Sequence, residues 1–128
     1  MLPEPGSTEA GAVWDAADRR VSSWLLYPEA RAALARARRV GRFQPAQISV
    51  IRQQIESLWR QIDRLDLTAH VTQRAGDLAD AHGLRGYDAV HLASAEEVAD
   101  AETVFVCCDR DLGAAAQTRG LGTVSLPA

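Results

Sequence analysis

Thr103-Val104-Phe105-Val106-Cys107-Cys108-Asp109-Arg110-Asp111-Leu112 decides the class of fold. Residues 103–108 are β-branched, aromatic or small and apolar in unbroken succession, the composition of a strand. Asp109 follows at once, a good cap for the helix predicted over 109–119, which Gly120 stops before a short strand at 122–126. Upstream, Tyr87 to Ala99 is helical by composition. Strand, helix, strand in this order is the pattern of an α/β fold with a parallel sheet.

The same alternation extends toward the amino end. Gly6-Ser7-Thr8 caps a predicted helix running to about Arg20, and Val21 to Leu26 reads as a short strand. Pro28 suits a first helical turn, so Glu29 to Val40 continues as helix until Gly41 and Pro45 break it. Over 46–62, Ile48, Ile51, Ile55, Leu58, Trp59 and Ile62 recur at three- and four-residue spacing and form an apolar stripe, which plain core packing explains first. Leu65-Asp66-Leu67 is a minimal strand. Thr68 caps a further helix to His82, ended by Gly83. Repeats, low-complexity segments and linkers are absent from the 128 residues, so one domain over 1–128 is expected.

Composition narrows the function classes. Apolar residues make up 47% of the chain, enough for one core. No apolar run approaches the roughly 18 residues that span a bilayer. The first residues carry neither a basic nor an apolar signal region, so a cytoplasmic protein without membrane contact is expected. Cys107 and Cys108 are adjacent, point to opposite faces of a strand and read as core residues in a reducing compartment rather than as a disulfide. Net charge is −3, a weak argument against nucleic-acid binding, yet all 14 basic residues are arginine. Arg36, Arg38, Arg39 and Arg42 cluster, and such a cluster either guides an RNA backbone or is a solvated helix end.

Three acids stand out by position. Glu29 lies in the first turn after the strand at 21–26, Asp109 directly after the strand at 103–108, and Asp88 at the start of the helix before that strand. Ligand sites of open parallel sheets gather beyond the carboxyl ends of the strands. Clustered carboxylates repel one another unless a cation neutralises them, and hard divalent ions prefer oxygen ligands. Metal-assisted hydrolysis is the chemistry that suits these residues, for there is no Ser–His or Cys–His constellation and no Gly-rich phosphate loop. Each acid also has a plainer explanation: Asp109 as an N-cap, the others as first-turn acids favoured by the helix dipole. Asp111 is expected to face solvent, and His91, one turn after Asp88, to be packed and hydrogen-bonded. His70 and His82 have no partner pattern. Trp14, Trp24 and Trp59 read as core or interface anchors rather than as platforms for RNA bases.

Leu84-Arg85-Gly86-Tyr87-Asp88-Ala89-Val90-His91-Leu92-Ala93-Ser94-Ala95 is similar to the most recognisable segment of PIN domains of the VapC toxin type. Val106 to Leu112 resembles that family's strand-then-acid segment, Tyr27 to Leu34 the segment bearing its glutamate, and Leu2 to Ser7 the loop after its first helix. The resemblance implies a three-layer α/β sandwich with a short parallel sheet. It also implies an endoribonuclease dependent on Mg²⁺ or Mn²⁺, with Glu29, Asp88 and Asp109 as metal ligands and catalytic acids. The partners it implies are an RNA substrate, a cognate antitoxin protein that occludes the site, and a second copy in a homodimer. The sequence departs from the family in one respect. The family's first strand, which ends in an Asp-Thr-Ser-like step and lies centrally between the strands at 21–26 and 103–108, has no counterpart here. The expectation is that the true start lies upstream of Met1, because the remaining acids and turns are intact. The rival expectations are an inactive remnant that still binds an antitoxin, and a different metal-dependent phosphodiesterase such as a DNA nuclease.

Overall fold

Two capping choices show how locally the chain is specified. Thr68 is extended and its hydroxyl accepts from the backbone N–H of Val71 at 3.1 Å, opening a helix that Gly83 closes at φ 65°. Asp109 repeats the device, its carboxylate accepting from the N–H of Leu112 at 2.9 Å. Caps of this kind are worth about 1 kcal/mol each, enough to set where a helix begins. The computed structural model describes residues 7–107 and 109–125. In order, the elements are α1 (Ser7–Ala16), β1 (Val21–Ser23), α2 (Leu26–Arg39), α3 (Pro45–Arg60), β2 (Asp63–Leu65), α4 (Ala69–His82), α5 (Gly86–Val98), β3 (Val104–Cys107), α6 (Arg110–Thr118) and β4 (Gly122–Ser125). The Leu2–Gly6 part of the expected amino-terminal loop and cap, Cys108, and Leu126 as the end of the last strand all lie outside the described residues.

Among the described residues all strand pairing is parallel, as the α/β pattern predicts. β1 pairs with β2 in the register Val21 to Asp63 and Ser23 to Leu65, and β3 pairs with β4 from Val104–Gly122 to Cys107–Ser125. Among the described residues the two pairs are not joined by a ladder.

Several boundaries differ from those predicted. α1 ends at Ala16 rather than near Arg20, because the carbonyl of Arg20 is taken by the N–H of Asp63 at 2.7 Å and the Arg19 guanidinium meets the Asp63 carboxylate at 2.8 Å. β1 stops at Ser23, whose hydroxyl accepts from the N–H of Leu25 at 3.2 Å and turns the chain into α2. Pro28 falls in the first turn of α2, where its missing donor costs nothing. β2 lies two residues earlier than expected, since Asp66 is used by a side chain, as described below.

The core sits in the carboxyl-terminal half. Val71, Ala75 and Leu78 of α4 close on Ala89, Leu92 and Ala93 of α5, with Cys107, Leu112, Ala115 and Ala116 completing the cluster. Alanine at so many facing positions lets α4 and α5 pack at close range. α5 is the central element, touching α4, β1 and α6.

Candidate active site

The three predicted acids fall into two linked groups. Asp88, in the first turn of α5, is buried, with 8% of its surface exposed. Asp109 stands at the carboxyl end of β3. Its Oδ1 accepts the capping bond from Leu112, which leaves Oδ2 to face outward. The capping and site roles are therefore compatible, one for each oxygen. Between these two carboxylates lies Arg85, whose Nε donates to Asp88 Oδ2 at 3.2 Å and whose Nη2 lies 3.5 Å from Asp109 Oδ2. The bond it donates to Asp88, aided by the nearby charges, holds the Arg85 guanidinium even more firmly in its charged form than usual.

Glu29 forms the second group. From the first turn of α2 it reaches across to α5, where His91 Nε2 donates to its Oε1 at 2.6 Å. The two residues are 62 positions apart in sequence, and the contact pins the glutamate to the helix that carries Asp88, one turn away. His91 is thus packed and hydrogen-bonded, as expected, and its partner is one of the predicted acids. Among the described residues no three His, Cys, Asp or Glu side chains converge closely enough to hold a metal ion as they stand. What the structure does show is two carboxylates sharing one positive charge, with a third tethered to the same helix. Hard oxygen donors that already converge on a cationic group are of the right chemical kind for a divalent cation.

The remaining predicted features fall elsewhere. Asp111 is exposed, as predicted. His70 lies on the surface 3.3 Å from Glu97. The Arg36–Arg42 cluster is at the far end of α2 from Glu29, about 13 Å away for nine helical residues. Beside it a shallow groove of about 390 Å³ is lined by Arg38, Phe43, Pro45, Ile48, Ser49 and Arg52. The described residues include no helix long and apolar enough to cross a membrane.

Residues 1–117 match the family model described as the PIN domain. The chain is a PIN-domain protein. Two curated relatives align with most of it: ribonuclease VapC45 of Mycobacterium tuberculosis strain CDC 1551 / Oshkosh and ribonuclease VapC49 of strain ATCC 25618 / H37Rv. Each is 45% identical over 120 residues, which cover 94% of this chain and 83% of the relative. This PIN domain is therefore of the VapC type, and PIN nucleases generally depend on a divalent metal ion.

Arg85, which joins Asp88 and Asp109, is a residue that did not stand out in the sequence. A signal was present, because an arginine three residues before an acid at a helix start lies within reach of it. Its second contact, to Asp109, belongs to the tertiary fold and has no local signature.

Proposed function

We propose that this chain, an endoribonuclease of the VapC type, uses Glu29, Asp88 and Asp109 to hold the divalent cation with which it cleaves RNA phosphodiester bonds. The observation that carries the assignment is the convergence of Asp88 and Asp109 on a single positive charge at the carboxyl end of β3. Mg²⁺ or Mn²⁺ is the cation proposed, because an oxygen-only set suits a hard divalent ion. When bound it supplies an activated water and neutralises charge on the phosphodiester. The protein's own contribution is positional. The cap bond to Leu112 orients Asp109, burial in α5 fixes Asp88, and His91 holds Glu29 over the same helix. The partners that fit this reading are RNA, a cognate antitoxin protein and a second copy of the chain, in the cytoplasm. A remnant that only binds an antitoxin gains no support from relatives named as ribonucleases.

The test is cleavage of a mixed RNA by the purified chain in Mg²⁺ or Mn²⁺, with Asp88→Asn alongside. The substitution keeps the shape of a buried side chain and removes its charge. The expected result is a loss of cleavage on the order of 10²-fold or more, with the melting transition retained. Cleavage that persists undiminished in Asp88→Asn would sink the assignment.

A further inference from the structure

We infer that Trp24 is a stacking platform for a base of single-stranded RNA at the rim of this site. The inference rests on the ribonuclease reading above and adds to it a binding residue outside the three acids. Trp24 immediately follows β1, and Glu29 lies five residues further on, in the first turn of the helix that this connection opens. β1 and β2 are parallel, so Trp24 and Asp66, each one residue past its strand, stand together at the carboxyl end of the pair. That is the end of a parallel sheet where ligands bind.

The indole is both open and fixed. Half of Trp24 is exposed (50%), whereas Trp14 and Trp59 are partly buried. Three contacts hold it from beneath and beside. Its Nε1 donates to Asp66 Oδ1 at 2.8 Å. Trp59 meets it in a T-shaped contact, centroids 6.1 Å apart at 70°. The Arg64 guanidinium lies over the Trp24 ring, 5.5 Å from its centroid, and over that of Trp59 at 4.6 Å, which leaves the opposite face of Trp24 for a base, and the Arg64 Nε has no hydrogen-bond partner among the described residues. A ring ordered by its own fold loses little further freedom when a ligand stacks on it, which is the condition for a useful binding surface.

Among RNA groups, the base is the one that suits it. Stacking needs a planar apolar face and tolerates any base, as a nuclease acting on varied single strands requires. The charges that touch the indole, Arg64 over one face and Asp66 at its Nε1, are of opposite sign, so the platform attracts phosphate no more than it repels it. Its contribution to binding should therefore persist at high salt, unlike that of an arginine cluster.

The experiment measures binding of a fluorescein-labelled single-stranded RNA to the full chain in EDTA by anisotropy, followed by cleavage kinetics in Mn²⁺. Trp24→Ala should bind at least about five-fold more weakly across the salt range, and in cleavage should raise KM rather than lower kcat. Trp24→Phe, which keeps a flat ring, should stay near wild type, and Trp24→Leu, which keeps bulk without a plane, should resemble alanine. Because Leu and Phe both fill the site, this pair decides the matter even if the alanine protein fails to fold. Equal binding by Leu and Phe would overturn the platform and make Trp24 a packing residue. Variants that bind and cleave RNA like wild type but fail to self-associate or to bind the antitoxin would overturn it too, in favour of a protein contact. A wild-type chain that neither binds nor cleaves RNA would fell the ribonuclease reading itself. One that cleaves RNA with no dependence on Trp24 would fell only the platform.

Discussion

Helices α3 and α5 both carry apolar residues on the face they turn toward the protein, yet their fates differ. On α5, Ala89 and Leu92 are fully buried. On α3, the stripe of Ile48, Ile51, Ile55, Leu58 and Trp59 is partly covered throughout and no residue is buried. Periodicity shows which side of a helix seeks cover, and only a second layer beyond it sets how deep that side goes. α5 has α4 on one side and strands and α6 on the others, while α3 packs chiefly on α2, where Tyr27 and Arg31 meet Glu56 and Trp59. The candidate site straddles this divide. Asp88 and Asp109 stand on the densely packed half, and Glu29 belongs to the loosely covered one and is held to the site by His91.

The sharpest way to break this contrast is a pair of truncations. Leu92→Ala removes a fully buried side chain from the middle of the core and should cost about 2–5 kcal/mol. Ile55→Ala, on the half-covered stripe, should cost about 1 kcal/mol or less. Urea unfolding at several protein concentrations measures both. An Ile55→Ala penalty as large as that of Leu92→Ala, growing with concentration, would mean that a second copy covers α3 in solution.

The contrast also accounts for what could be read from the sequence. Features decided within a few residues were legible: the Thr68 and Asp109 caps, the Gly83 stop, and the strand at Val104–Cys107. Asp88 and Asp109 were found for the same reason, since each is marked by its place beside a strand or helix end. The end of α1 was misjudged because it depends on Asp63, more than 40 residues away, which draws Arg19 and Arg20 out of the helix, whereas β1 ends early because the Ser23 hydroxyl takes the N–H of Leu25 and turns the chain. The Glu29–His91 contact and the second arm of Arg85 are likewise tertiary. Burial depth along α3 was not readable at all, because an equally regular stripe is buried or left half open according to what the rest of the chain lays over it.

Ion pairing draws the same line in a second observable. Glu96 of α5 accepts from Arg119 at 2.6 and 3.1 Å and from Arg74 of α4 at 3.3 Å. The bond from Arg119 holds its carboxyl below the usual range, against the opposing effect of burial. A carboxyl whose folded pKa is depressed adds stability above its unfolded pKa, near 4.3, and that stability is lost as pH falls through the folded value. Glu96→Gln should therefore destabilise the protein by about 1 kcal/mol at pH 7, a modest figure because both arginines are more than a third exposed. The gap between variant and wild type should close below about pH 4. Thermal melts at pH 7, 5 and 3 measure it. A gap that stays constant through pH 3 would show that the side chain acts through packing and not through its charge.

The smallest expected effect bears on the site itself. Arg85 occupies, between Asp88 and Asp109, the place where the proposed cation would draw on the same two oxygens. A guanidinium and a divalent ion cannot both satisfy those carboxylates fully, so the arginine competes with the metal, and its exposed position allows it to swing aside. Arg85→Gln removes the competing charge and should tighten Mn²⁺ binding a few-fold, as read by calorimetry or water-proton relaxation on the free protein. His91→Ala should act in the opposite direction, because it releases Glu29 from α5 while leaving Asp88 and Asp109 in place. Together the two variants separate the halves of the site. If Arg85→Gln weakens Mn²⁺ binding instead, the arginine organises the acids for the metal, and the charge shared by Asp88 and Asp109 is part of the assembled site and no mere stand-in.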